Sequence, residues 1–271
     1  MKENEADQEN LVVESLSRRA MLKMGARGLA LAAFDHLKVA NAGQREVKAV
    51  AFDGIAVFDM RPIAVLAEKM FPGHGSELTK AWRMRQFEYT WLRTVMNDYA
   101  DFWQISEDSL SFVAKLLKLD LTKEKSNRMM DSFYGLRAWP DVLPMLKSLK
   151  GRGVRIALLS NFTTGMLEAA TRNSGLDGYF ETPLSTDIVK AYKPDSRAYQ
   201  MAIDAFNRQR DEIVFVAFAG WDAVGAKRFG YRTYWANRIG LPEENLGVSP
   251  DFTSKSLADL ERFCFPTWIP G

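Results

Sequence analysis

The sequence predicts an α/β protein in which a parallel sheet is covered by helices on both faces and a helical segment is inserted after the first strand. Three observations predict it. From residue 141 onward, apolar runs of strand composition alternate with stretches of helical periodicity, the pattern of parallel strands joined by helices. From residue 62 to about 133, apolar residues instead recur at three- and four-residue spacing without β-branched runs, which reads as helix throughout. Finally, the strand candidates stop at or just before Asp, Ser or Asn, side chains suited to the carboxyl edge of an open α/β sheet, where ligands collect.

The elements follow in order. Val47-Lys-Ala-Val-Ala-Phe52 has the composition of a buried parallel strand and ends at Asp53-Gly54. A carboxylate there is a nucleophile, a metal ligand or a turn-former, and in isolation the turn-former is the commonest of the three. The inserted segment carries helical patterns over residues 64–70, 81–93 and 109–119. After it come a helix over 141–150, a strand over 154–159, helices over 164–173 and 196–206, a strand over 213–218, a helix over 222–229 and a strand over 231–236. The aromatic, irregular tail over 263–270 is expected to pack on the core.

Composition narrows the function. With 271 residues, 47% hydrophobic and 26% charged, the chain suffices for a core domain with a second one inserted. A net charge of +2 offers no basic stripe, which argues against nucleic acid as a partner. Cys264 stands alone, so neither an intramolecular disulfide nor a cysteine zinc cluster can form. The only histidines are His36 and His74, and His74 sits in the turn-like Phe71-Pro-Gly-His-Gly75, a poor base for a serine hydrolase.

The first forty residues differ from the rest. Ser17-Arg18-Arg19-Ala20-Met21-Leu22-Lys23 precedes a mildly apolar stretch over 28–34 and a small-x-small pattern, Ala40-Asn41-Ala42. This resembles a twin-arginine export signal over residues 1–42, which implies the twin-arginine machinery as a partner and a periplasmic or exported mature protein. The apolar stretch is too short to span a bilayer, so no stable membrane insertion is expected.

The polar strand ends form one constellation: Asp53, Ser160-Asn161, Asp222, and Lys193 from the loop before the helix at 196. Because carboxyl ends of parallel strands share one edge, these side chains can meet in one pocket. Here the chain resembles the haloacid dehalogenase superfamily, and within it the (S)-2-haloacid dehalogenases. The resemblance runs from about residue 47 to 263. It is carried by Phe52-Asp53 with Phe58-Asp59, Trp82-Arg83 with Glu88-Tyr-Thr-Trp-Leu-Arg93, Leu159-Ser160-Asn161, Tyr192-Lys193-Pro194-Asp195 with Tyr199, and Trp221-Asp222-Ala223.

The resemblance implies a Rossmann-like core over 43–60 and 139–271, a helical cap over 61–138, and a pocket between them. It implies Asp53 as the nucleophile that displaces halide from a short (S)-2-haloacid, leaving an ester that water hydrolyses to a 2-hydroxy acid. Lys193 would hold Asp53 ionised. Arg83 would receive the departing halide, and Asp222 would orient or deprotonate the water. Ser160 and Asn161 match the positions that hold the substrate carboxylate, and Phe87, Phe102, Tyr199 and Trp221 are expected around the substrate. No cofactor and no metal ion are expected, and the oligomeric state, a homodimer included, stays open.

Departures from the family pattern leave alternatives open. Ile55 stands where superfamily phosphatases place a second aspartate, and the last motif, Ala217-Phe-Ala-Gly-Trp-Asp222, lacks their extra magnesium-holding carboxylate. A short Gly54-Ile55-Ala56-Val57 replaces the family's tyrosine-glycine-threonine, and Ala217 and Ala219 replace a serine and an asparagine. A phosphatase of the same superfamily and a catalytically silent protein that binds small carboxylates are therefore the rival readings.

Overall fold

The computed structural model describes residues 45–266. The expected export signal over 1–42 and residues 267–271 of the tail lie outside the described residues. In chain order, β1 (Ala49–Phe52) leads into a one-turn helix α1 (Gly54–Val57) and a short strand β2 (Phe58–Asp59). Helices α2 (Arg61–Met70), α3 (Gly75–Met96), α4 (Phe102–Leu116) and α5 (Lys123–Asp131) follow, with a 3-10 turn at Ser132–Gly135 before β3 (Arg137–Ala138). The chain then alternates through α6 (Val142–Gly151), β4 (Arg155–Ser160), α7 (Thr164–Asn173), β5 (Leu184–Ser185), α8 (Ser196–Phe206), β6 (Ile213–Ala217), α9 (Gly220–Phe229), β7 (Arg232–Ala236), β8 (Phe252–Ser254) and α10 (Leu260–Cys264).

β1 lies inside a six-stranded sheet of order β5-β4-β1-β6-β7-β8, every adjacent pair parallel. Since side chains alternate across a strand, each strand feeds two cores. Val50, Phe52, Ile156, Leu158, Val214 and Val216 join one core with Leu146 and Leu149 of α6, Leu167 of α7, and Trp82, Phe102 and Ile105 of the helical segment. Ala49, Ala51, Ala157 and Phe215 join the other with Tyr199 and Phe206 of α8 and Ala223 and Ala226 of α9. The small alanines on that face leave room for the bulky Tyr199 and Trp235.

This topology positions the site. β1 is flanked by β4 on one side and β6 on the other, so the connections run off in opposite directions and open a crevice beyond its carboxyl end. Phe52 is in register with Leu158 and with Val216, which brings the ends of all three strands to the same level.

Several details differ from the sequence reading. β2, β3, β5 and β8 are two or three residues long, too short to show any periodicity. α4 starts well before residue 109 because Asp101 caps it, its Oδ1 accepting from Gln104 N at 2.8 Å. It also stops short of residue 119, where Lys118 takes a φ of 54°. In the described part of the tail, the Phe263 ring lies 5.7 Å from both Tyr234 and Phe252. No helix among the described residues is long and apolar enough to cross a membrane.

Candidate active site

Asp53 is the N-cap of α1, its Oδ2 accepting from Ile55 N at 3.0 Å. That bond aims the other oxygen, Oδ1, away from the helix, where it accepts from Lys193 Nζ at 2.7 Å. The turn-former and the functional carboxylate are thus one side chain. Gly54 is required by crowding: a Cβ there would lie 2.7 Å from Ser160 Oγ.

Lys193 is 1% exposed, and its ammonium has three acceptors: Asp53 Oδ1 and Asp222 Oδ2 at 2.7 Å each, and Leu159 O at 3.3 Å. Burial opposes its charge, but the Asp222 and Asp53 carboxylates outweigh that and hold its pKa above the ordinary lysine value. Its backbone is placed too, Lys193 N donating to Asn161 Oδ1 at 3.2 Å before the cis bond to Pro194.

Asp222 is buried in the first turn of α9, where the helix N-terminus favours an acid. Its Oδ1 accepts from the Tyr199 hydroxyl at 2.7 Å. Burial pushes the Asp222 carboxyl up to about 6; Lys193 opposes this, but one ammonium is shared between two carboxylates, and the Asp53 charge adds to the rise. Tyr199 is fully buried beside Asp222, which drives its own pKa well up and keeps its hydroxyl a donor. Tyr199 therefore supports Asp222 from behind and does not line the cleft around Asp53.

That cleft is lined by Asp53, Lys193 and Asp222, by Ser160, Asn161 and Ala219, and by apolar residues that include Phe87, Phe102 and Trp221. Its free space is about 20 Å³, room for one water-sized molecule. Ser160 Oγ accepts from Phe162 N at 3.2 Å, so its hydroxyl hydrogen is free for another acceptor. The sequence reading did not single out Phe162 and Phe218, whose apolar type carries no chemical signal.

Arg83 lies on α3 one turn before Phe87 and does not itself line this small cleft. Arg85 pairs with Glu88 at 2.8 Å and Arg93 with Asp98 at 3.0 Å, whereas Arg83 forms no ion pair among the described residues. Burial alone pushes its guanidinium below the ordinary value. A partly desolvated cation of this kind gains from an anionic partner.

The donor set does not fit a divalent cation. The two carboxylates already share the Lys193 ammonium, and no group of three or more His, Cys, Asp or Glu side chains among the described residues could hold a metal.

A parallel sheet with a carboxylate at the end of β1, a lysine bridging it to a second carboxylate, and helices inserted after the first strand define a hydrolase class. Residues 71–230 match the family model of the haloacid dehalogenase-like hydrolases, and the chain belongs to that family. Among curated relatives, it is 39% identical over 212 residues to the (S)-2-haloacid dehalogenase of Pseudomonas sp. (strain YL), spanning 78% of this chain and 91% of that one. It is 37% identical to haloacetate dehalogenase H-2 of Moraxella sp. (strain B), over 77% and 94% of the two chains. Among solved structures, the L-2-haloacid dehalogenase RSc1362 superposes with a TM-score of 0.79 at 36% identity, covering 81% of this chain and 99% of that one. The Xanthobacter autotrophicus L-2-haloacid dehalogenase with chloropropionic acid covalently bound superposes with a TM-score of 0.75 at 29% identity, over 82% and 100%.

Proposed function

We propose that this protein hydrolyses short (S)-2-haloacids to 2-hydroxy acids and halide through an ester on Asp53. The observation that carries the reading is the Asp53–Lys193–Asp222 chain facing an apolar cleft, with Arg83 on α3 free of any ion pair among the described residues. A solved relative named with chloropropionic acid covalently bound supports a covalent route.

An Asp53 oxygen attacks the halogen-bearing carbon from the side opposite the halide. The carbon–halogen bond breaks with its electron pair, and the halide leaves toward Arg83. Lys193 donates to Asp53 and holds it in a largely buried setting, where a carboxylate is a better nucleophile than in water. Ser160 and Asn161 hold the substrate carboxylate. Asp222 then takes a proton from water, which attacks the carbonyl carbon of the Asp53 ester; the bond from that carbon to the substrate oxygen breaks, and this oxygen takes the proton back from Asp222 as the 2-hydroxy acid leaves. One oxygen of Asp53 leaves in the product and one from water replaces it. The free space of about 20 Å³ is smaller than a haloacid, so the cleft must widen on entry.

In this reading residues 61–138 act as a cap over the core of 43–60 and 139–271. Residues 1–42 act as a twin-arginine signal that delivers the mature enzyme to the periplasm, supported by Arg18-Arg19 and Ala40-Asn41-Ala42. The exposed Met84, Leu92 and Val95 of α3 suit a homodimer contact.

Halide release from a panel of 2-haloacids, with and without a chelator, tests the reading. (S)-2-chloropropionate should be turned over with chelator present, and rapid quenching should trap a substrate-derived adduct on the peptide containing Asp53. A folded protein that binds carboxylates but gives neither halide nor adduct is the silent binding protein that Ala217 and Ala219 suggest. Magnesium-dependent release of phosphate from esters is the phosphatase.

A further inference from the structure

The family's threonine after the nucleophile is absent, and Asp53 instead rides on α1, a single turn. A helix that short does not hold its shape alone, so the orientation of Asp53, besides its bonds to Ile55 N and Lys193, depends on what receives the turn's free carbonyls. All four are accounted for. Gly54 O accepts from Phe58 N, Val57 O from Trp139 N at 3.0 Å, and Ile55 O from Trp139 Nε1 at 3.4 Å. Ala56 O accepts twice from Arg238, Nη2 at 2.9 Å and Nε at 3.2 Å.

Arg238 is itself held. Its guanidinium forks onto Asp141, with Nη1 to Oδ2 at 2.9 Å and Nη2 to Oδ1 at 3.0 Å, and its side chain is 4% exposed. It lies over the Trp139 ring at 4.7 Å. Asp141 Oδ2 also accepts from Leu257 N at 2.7 Å, tying the fork to the chain beyond β8. A cation at a helix carboxyl end is favourable, and a forked, buried arginine is a far stiffer prop than a lysine.

From this geometry we infer that the Asp141–Arg238 fork is the positioning device of the nucleophile turn: by gripping Ala56 O it holds Asp53 in line for attack in place of the missing threonine. Arg238 touches no reacting atom and acts through α1. The inference rests on the proposed role of Asp53, and it assigns to Arg238 chiefly the first chemical step, because in-line attack on carbon demands stricter alignment of Asp53 than hydrolysis of the ester, which also depends on Asp222.

Arg238→Lys keeps the positive charge beside Asp141 but cannot fork to both Asp141 and Ala56 O. Rapid-quench mass spectrometry of the Asp53 peptide should show ester formation slowed by about 10- to 100-fold, a cost typical of a misplaced reacting group. The rate at which preformed ester disappears, and KM, should change less than about threefold. Amide hydrogen exchange over residues 54–58 should quicken by about tenfold while the sheet strands keep wild-type protection. Asp141→Asn, which leaves Arg238 in place on a weaker anchor, should move the same readouts in the same direction by less. Wild-type ester formation or wild-type exchange over 54–58 in a folded Arg238→Lys protein overturns the inference, as does exchange quickened equally throughout the protein. If the wild type forms no ester, the haloacid reading fails separately, and the exchange over 54–58 still decides whether Arg238 holds the turn.

Discussion

Along the carboxyl edge of the sheet, the charged side chains of the site satisfy one another: Asp53 and Asp222 share Lys193, and Tyr199 backs Asp222. On α3, which lends Phe87 to the same cleft, Arg83 has no such partner among the described residues and is partly desolvated. The core side holds a finished network, organised before any ligand arrives. The helical side holds a cation to which no described residue supplies a counter-ion. The charged groups of the core network are tied to one another, whereas Arg83 is left without an internal counter-ion among the described residues.

The largest expected effect comes from breaking the finished network. Lys193→Met leaves two buried carboxylates facing each other without a cation, a loss of about 3–5 kcal/mol in stability, with turnover essentially abolished. Denaturant unfolding should show the deficit greatest near pH 8 and smaller near pH 5. The sign follows from Asp222: burial and the neighbouring Asp53 raise its folded pKa and Lys193 opposes that rise, so without Lys193 the folded state binds the proton more tightly and gains stability as pH falls. A deficit that does not change with pH would mean that the two carboxylates are not held together by Lys193.

Arg83→Ala should separate the two sides. No ion pair among the described residues is lost, and the partly buried stem gives up only its packing, so stability should fall by no more than about 1 kcal/mol. Haloacid turnover should fall by about 10²- to 10³-fold, the scale for removing a group that stabilises developing negative charge. Thermal melts read beside kcat check it, and parallel losses in both would reduce Arg83 to a packing residue.

The smallest effect sharpens the picture of Asp222. With its carboxyl pushed up to about 6 and needed as the base, kcat/KM should rise with pH through about 6 and level off above. For stability the sign is opposite: a folded pKa above the unfolded value contributes stability present below the unfolded pKa, near 4, and lost as pH rises through about 6. Tyr199→Phe removes a donor to the ionised form, so the acid limb of the rate profile should shift to higher pH. An unmoved limb would show that another group sets it.

Much of the site was legible because a few residues carry unmistakable chemistry at readable places. Asp53, Ser160 and Asp222 lie at or just beyond strand ends, and parallel strands bring such ends to one edge, so their convergence follows from the pattern of elements. Tyr199 was recognisable as part of the motif, yet its position behind Asp222 was not, since helix periodicity does not say which polar group a buried hydroxyl will meet. Arg238 gave no signal: an arginine shortly after a strand is ordinary, and its partners Ala56 and Asp141 are 182 and 97 residues away.

By itself, then, the sequence determined the alternation of strand and helix, the helical segment after β1, and the residue types at the sheet edge, because these depend on local periodicity and on polar residues that end apolar runs. Only the tertiary structure decided that one ammonium lies between Asp53 and Asp222, that Arg83 alone of the three arginines in its stretch of α3 lacks an ion pair among the described residues, and that Arg238 props the nucleophile turn. Each of these depends on distances of a few ångströms between groups far apart in the chain, where burial and pairing, not residue type, set charge and direction.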